Sequence, residues 1–390
     1  MNRSYVKSAA ALVAVTAAAL LAACQEDKPA QPMKTAAPAP TAKMAAAPEP
    51  KKDEIDPDRL AMFNPLPAAM ESPANPITDA KVELGRQLYY ETRLSKNQDI
   101  SCNTCHDLSN NFGAEAKETS TGHKGQKGAR NSPSVYNAAG HFVQFWDGRA
   151  ATVEDQAKAP ITNPIEMAMP DDKKVVEVLK SIPPYVDAFK KAFPDDKDPV
   201  TFDNTAKAIA AFERKLVTPS RWDKFLKGDK SALTSDEKAG FNAFLDAGCA
   251  ACHTGAYLGG AVYQKAGLIK PWPNQKDLGR FDVTKNDIDK MMFKVPTLRN
   301  VTKTAPYFHD GSAKTLEEAV KTMASLQSGK ELKDSEVKSI VAFLETLTGD
   351  IPKDSDQGAG AAQVDGEDAE AGSQVIPLSP AGVPPAGEPT

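Results

Sequence analysis

Apolar residues recur at helical spacing in several stretches of the chain, and strand-like alternation is scarce. In "TSDEKAGFNAFL", Phe241, Phe244 and Leu245 fall on one helical face, and Thr234 and Glu237 are spaced as a capping box. "SEVKSIVAFLETL" puts Val337, Ile340, Val341, Leu344 and Leu347 on one face and stops near Gly349. "NTAKAIAAFERKL" predicts a helix ended by Thr218-Pro219, and "TLEEAVKTM" opens on a second box, Thr315 with Glu318. "DAKVELGRQLYY" predicts another helix. In it Gly85 and Tyr89 stand where Gly240 and Phe244 stand in "TSDEKAGFNAFL", which predicts an internal repeat. Gly, Pro and Asn between these segments predict long ordered loops, so the fold class expected is mainly α.

The two ends lack this patterning. Arg3 and Lys7 precede an apolar run over 9–23 that is too short to span a bilayer comfortably. It ends in "LAAC", which resembles a bacterial lipobox with Cys24 as the lipidated residue; the alternative is an ordinary signal peptide ending near a cysteine. Gln25, in place of Asp, fits sorting to the outer membrane. The expected organisation is a signal peptide over 1–23, an Ala/Pro/Lys-rich tether over 24–57, a folded region over 58–350, and a disordered tail over 351–390. For 390 residues, two or three domains are expected. A net charge of −5 argues against nucleic acid as a partner.

The candidate chemistry sits in the cysteines. Of five, Cys24 is taken by the lipobox. The other four form Cys102-x-x-Cys105-His106 and Cys249-x-x-Cys252-His253. This is the arrangement for covalent haem c: each sulfur bonds a vinyl-derived carbon of the porphyrin and the adjacent histidine reaches the iron. Zinc would need two such groups converging on one ion, and thiol redox needs no histidine. Two covalent haems are therefore expected, with His106 and His253 as proximal ligands.

The other side of each iron sets its use. Methionine raises the potential, histidine gives a lower one, and a releasable ligand admits chemistry. His123, His141 and His309 are the remaining histidines. Met323 follows His253, and Met167 or Met169 follows His106, at spacings that suit a methionine ligand in each case. Met323 also shares a helical face with Leu316 and Val320, so the pattern fits core packing equally.

The stretches "GHKGQKGARNSPSVYNA", "QFWDGRA", "EDQAKAPITNPIEM", "FKVPTLRNVTKTAPYFHDGS" and "TLEEAVKTM" resemble, in order across 64–348, the bacterial dihaem cytochrome c peroxidases of the peroxidase/MauG superfamily. The resemblance implies two cytochrome c-like domains, an N-terminal peroxidatic one over 58–218 and a C-terminal electron-transfer one over 219–350. It implies that His123 is the releasable distal ligand of the first haem and Met323 the permanent distal ligand of the second. Glu166 would be the acid–base residue over the peroxide site, with Gln156 beside it, and Trp146 the aromatic residue between the haems. Asn131, with the carbonyls of Thr304 and Pro306, would hold a calcium ion, a hard cation suited to oxygen ligands. His309 is assigned an interface role near the second haem and His141 a structural one.

The function implied is reduction of hydrogen peroxide to water with electrons from a small cytochrome c or copper protein. The resemblance implies a homodimer too, and the lipobox implies an exported, lipid-anchored protein on the periplasmic or cell-surface side of the outer membrane. Two rivals remain: a MauG-type enzyme that oxidises a partner protein, and a non-enzymatic surface electron conduit. The MauG type has Tyr where this chain has Met323 and lacks the releasable histidine. A conduit needs no Glu166–Gln156 pair.

Overall fold

The computed structural model describes residues 54–353 and 355. Cys24, the signal peptide, most of the tether and nearly all of the tail lie outside them. The longer helices are α1 (Asp79–Tyr89), α2 (Val153–Thr162), α3 (Asp172–Lys180), α4 (Pro183–Ala192), α5 (Phe202–Glu213), α6 (Ser235–Asp246), α7 (Leu316–Ser328) and α8 (Asp334–Glu345). Among the described residues the only sheet is a two-stranded antiparallel ribbon, β1 (Tyr263–Lys265) with β2 (Met292–Lys294), in register Tyr263↔Lys294. The mainly α expectation holds. No helix among the described residues is long and apolar enough to cross a membrane.

Local chemistry explains most helix ends. The capping box before α6 forms: Thr234 Oγ1 accepts from Glu237 N at 3.3 Å, and Glu237 accepts from Thr234 N at 2.8 Å. Before α7 only half of the expected box forms. Thr315 accepts from Glu318 N, but the Glu318 carboxylate reaches Lys314 N at 2.8 Å instead of the cap's own N–H. Helix α5 ends at Glu213, before the expected Thr218-Pro219 stop, because the chain turns to meet Asn137: the Asn137 side chain accepts from Thr218 N and donates to Thr218 Oγ1. Helices α3 and α4 were not singled out by the sequence reading; Val175 and Leu179 of α3, with Tyr185 and Phe189 of α4, carry their buried faces.

The internal repeat is deeper than two matched helices. A Cβ on Gly85 would lie 1.9 Å from Ala208 O, and one on Gly240 would lie 2.0 Å from Ser339 O. Each glycine therefore lets α1 cross α5, and α6 cross α8, with backbone against backbone. Beside each crossing an aromatic pair closes: Tyr89 with Phe212 (5.5 Å) and Phe244 with Phe343 (5.3 Å). Further on, Asn137 and Asn300 both adopt left-handed backbone, and both donate to the same Thr218 hydroxyl, at 2.8 and 2.9 Å. At the same spacing beyond each asparagine comes a turn, Phe145-Trp146-Asp147-Gly148 and Phe308-His309-Asp310-Gly311, with positive φ at each Phe and each Gly. Next comes a threonine N-cap, Thr152 or Thr315, then α2 or α7. Trp146 thus corresponds to His309, and Pro160 of α2 to Met323 of α7.

Two main hydrophobic cores result. One gathers Leu84, Leu88, Ile161, Phe189 and Ile209. The other gathers Trp222, Phe241, Phe244, Phe343 and Leu344, and it includes Phe63 from the N-terminal side. At the opposite end, Ile351 packs on the Tyr89–Tyr136 cluster, and Ser355 accepts from Tyr90 Oη through its carbonyl at 2.8 Å. Each end of the described chain therefore closes onto the copy more distant in sequence.

Gly85→Ala and Gly240→Ala should each lower the midpoint of denaturant unfolding, since the methyl cannot enter without separating the helices. Overpacking of this kind costs about 1–3 kcal/mol. An unchanged midpoint for both would show that the crossings are looser than described.

Candidate functional site

Both Cys-x-x-Cys-His motifs open on one internal cavity of about 1300 Å³. That exceeds the roughly 300–1,000 Å³ of a site for one small ligand. The first motif begins as a helical turn, Cys102–Cys105, and the second as a tighter one, Cys249–Ala251; in both the histidine N–H donates back to the first cysteine's carbonyl at 3.0 Å.

The histidine rings are fixed by main chain. His106 Nδ1 lies 3.0 Å from Pro133 O and 3.3 Å from Gly113 O. His253 Nδ1 lies 2.9 Å from Leu258 O, and the Pro296 backbone also supports that ring. A carbonyl partner puts the proton on Nδ1 and leaves Nε2 with its lone pair, the arrangement a metal-ligating histidine requires. Burial lowers both rings' affinity for a second proton, which keeps them neutral. Tyr89 Oη donates to His106 O at 2.6 Å, so the α1–α5 crossing also anchors the first motif.

All four cysteines are unpaired, and all four line the cavity. Burial pushes the Cys102 thiol up to about 12 and the Cys249 thiol up to about 11. Redox cysteines are shifted the other way. Among the described residues no group of three or more His, Cys, Asp or Glu is placed to hold a metal ion. The donor set therefore fits two haem c groups, each held by two thioether links and one imidazole.

The other residues expected at the site are placed as follows. Glu166 faces the cavity, accepts from Asn163 Nδ2 at 2.9 Å, and has its carboxyl raised by burial against the opposing charge of Arg149. Gln156, from α2, faces the same cavity. Met323 lines it from α7 and also packs against the cluster of Trp272, Met291 and Phe293. Met167 lines it too, whereas Met169 lies in the first core. Trp146 lies between the copies: its Nε1 donates to Asn131 O at 2.9 Å, and its ring meets His309 edge-on at 6.3 Å. His309 stacks on Phe293 at 4.2 Å, with Nε2 buried and without a hydrogen-bond partner. Asn131, Thr304 and Pro306 all reach the cavity wall; Asn131 Nδ2 donates to Lys117 O at 3.0 Å, which leaves Oδ1 as the atom it can offer a cation.

His123 stands apart. It is buried, but it is not among the cavity-lining residues. Its backbone N–H donates to Glu166 O at 2.9 Å. The preceding Gly122 lies so close to Ile165 and Glu166 that a Cβ there would sit 2.1 Å from Ile165 O. The His123 turn and the Glu166 segment are thus docked on each other through main chain.

Sequence reasoning missed two buried charged groups on the wall, Glu213 and Lys294. The available signal was a charge amid apolar neighbours, in "AIAAFERKL" and in "MMFKVP". The ordinary value of the Glu213 carboxyl is 4.5; burial, with the charge of Glu154 nearby, pushes it up to about 8 against the pull of Arg214. Arg130 was also missed. It joins Asp147 and Asp277, each at 2.6 Å, and so ties the Trp146 turn to the second copy.

Glu213 should therefore shape stability against pH. Below its ordinary value both folded and unfolded chains carry the proton. Above it the unfolded chain ionises first, so stability falls as pH rises toward about 8 and then levels. The slope reaches about 1.4 kcal/mol per pH unit within that window. Glu213→Gln should flatten it in denaturant titrations of the holoprotein; an unchanged slope would place the burden on other groups.

The di-haem cytochrome c peroxidase family model matches residues 79–231, and the cytochrome c family model matches residues 237–348. The chain is 46% identical over 315 residues to the cytochrome c551 peroxidase of Pseudomonas aeruginosa, covering 79% of this chain and 90% of that one. It is 50% identical over 273 residues to the cytochrome c551 peroxidase of Nitrosomonas europaea, covering 69% and 80%. Among solved structures, a MauG-like protein associated with microbial copper homeostasis matches with a TM-score of 0.67 and 30% identity, over 75% of this chain and 97% of that one.

Proposed function

The chain belongs to the di-haem cytochrome c peroxidase family, and from that premise we propose that its two copies divide the reduction of hydrogen peroxide between them. Two electrons from a small redox protein and two protons convert peroxide to two waters. The observation that carries the division is one pair of equivalent positions. Helices α2 and α7 begin from matching threonine caps and face the same cavity, and Pro160 stands in the first where Met323 stands in the second. A thioether can ligate iron; a proline cannot.

When bound, the haems supply one-electron storage at the second motif and, at the first, a metal site where peroxide is held and its O–O bond is split. The residues holding them are Cys102, Cys105 and His106, and Cys249, Cys252 and His253. Met323 would close the second site, where a thioether ligand would raise the potential. At the first, Glu166 removes a proton from one peroxide oxygen and delivers it to the other, which leaves as water. Its carboxyl, raised by burial and facing the cavity, suits a group that must both take and give a proton. Asn163 holds that carboxyl in place, and Gln156 orients peroxide by hydrogen bonding. Trp146 lies in the seam that an electron crosses between the sites.

His123 would be the releasable ligand of the first site; here it is buried off the cavity wall. Because its turn is docked on Glu166, a movement of His123 would also move the acid–base group. A calcium ion held by Asn131 Oδ1 and the carbonyls of Thr304 and Pro306 would brace this seam. Lipidation at Cys24 would tether the enzyme to the outer membrane, on its periplasmic or outer side, and a homodimer is the expected assembly. The MauG-type reading is less favoured: the peroxidase relatives match more closely, and Met323 is the high-potential type of ligand that stores an electron.

The direct test is steady-state peroxide reduction with a reduced small cytochrome as donor, comparing fully oxidised and half-reduced protein. Turnover is expected from the half-reduced form; absence of turnover from both would overturn the reading. Glu166→Gln should keep two haems and lose about 10²–10⁴-fold in turnover. Haem loss instead would mark Glu166 as structural. Met323→Leu should lower the second haem's potential and abolish activation by half-reduction, and normal activity in that variant would remove the role assigned to it.

A further inference from the structure

Two polar groups on the cavity wall have no part in that scheme, and they touch each other. Lys294, at the end of β2, is 6% exposed. Its Nζ lies 3.3 Å from His141 Nδ1 and 3.2 Å from Val143 O, both neutral partners. The carboxylate of Asp147, whose charge it feels, is already engaged by Arg130 at 2.6 Å and Arg149 at 3.0 Å. An ammonium out of water with only neutral partners is destabilised, and burial pulls Lys294 down to about 8. It has the surroundings of a cation whose anion comes from outside the polypeptide.

His141 holds that ammonium in place. Lys294 can only donate, so Nδ1 of His141 accepts, and the ring proton sits on Nε2. That Nε2 is buried and has no hydrogen-bond partner. The ring is held against Gly260 and edge-on to Tyr257 at 5.6 Å, and it lines the cavity. Nδ1 and Nε2 face opposite sides of the ring, so no single carboxylate can meet both; His141 fixes Lys294, whose Nζ is the cationic donor on this wall. Once a haem is attached through thioethers and imidazole, the negative groups left to it are its two propionates.

We propose that Lys294, positioned by His141, anchors a propionate of the haem carried by Cys249 and Cys252. The second haem is indicated because Lys294 leads directly into Val295 and Pro296. Val295 O accepts from Gly260 N at 2.7 Å, and the Pro296 backbone supports the His253 ring. Lys294 N also donates to Trp146 O at 2.7 Å. The residue that grips the second haem's carboxylate is therefore tied by its own backbone to the aromatic turn of the first copy.

The inference rests on the cavity holding two haems, and the experiment separates the two claims. Pyridine haemochrome analysis of the wild-type protein counts covalent haems; fewer than two would defeat the haem reading itself. With two present, Lys294→Met removes a cation beside the second haem, which favours the oxidised iron. A redox titration should show that haem's reduction equilibrium weakened by about tenfold, or about 59 mV for one electron, with the first haem unchanged. Resonance Raman should show its propionate bending band displaced. Lys294→Arg should stay near wild type, and His141→Phe should shift the same haem in the same direction by less. Where Lys294→Met does not yield holoprotein, Lys294→Gln is read by the same two measurements. Two haems with both potentials and the propionate band unchanged would overturn the assignment, as would a shift confined to the first haem.

Discussion

Two helix crossings in which a carbonyl oxygen occupies the place of a side chain hold the rest of the structure in position. At Gly85 and Gly240 the helices approach until backbone meets backbone, and no other residue type could be accommodated without separating them. The aromatic residue one turn later is then fixed against its partner helix, and the attachment motif follows within a short run. In the first copy that aromatic is Tyr89, whose hydroxyl holds the carbonyl of His106. In the second it is Phe244, which has no hydroxyl and joins the cluster around Phe343 instead. The same crossing is thus used twice, with one polar and one apolar outcome.

That pattern of shared geometry and unlike residues recurs across the molecule. The two copies share glycine crossings, left-handed asparagines, Phe–x–Asp–Gly turns and threonine caps, all features of backbone conformation. They differ where side chains reach the cavity: Trp146 against His309, Pro160 against Met323. Charge is distributed unequally as well. Glu166 and Glu213 line the first copy's side, both kept toward the neutral form by burial, while Lys294 projects from the second copy into the seam. A duplicated scaffold explains why two sites exist. The unequal side chains are what the proposed division into electron storage and proton transfer rests on.

Much of this was legible in the sequence, but unevenly. The two haem motifs could be read directly, because three chemically demanding residues at fixed spacing have few other uses. Helices α1, α6 and α8 were legible from apolar periodicity, and the Gly85/Gly240 correspondence hinted at the repeat. The rest of the repeat was not, because it lies in left-handed residues such as Asn137 and Asn300, and conformation there leaves little trace in hydrophobic pattern. The Glu318 half-box failed for a local reason: a neighbouring N–H at Lys314 offered itself to the same carboxylate. Lys294 was missed, and His141 was expected only to be structural, because a buried polar group is recognised by what surrounds it, and those surroundings come from distant parts of the chain.

The crossed ends of the described chain bear on how the two copies hold together. Phe63 lies early in the chain, but the other buried members of the core it enters lie between 222 and 347. Ile351 and Ser355 lie late, and they close a cluster whose other members lie between 82 and 216. Neither copy can complete its packing from its own stretch of chain. Each copy is therefore completed by chain that comes from beyond the other. In this sense the two ends act as clasps, so that loosening either one would open both halves.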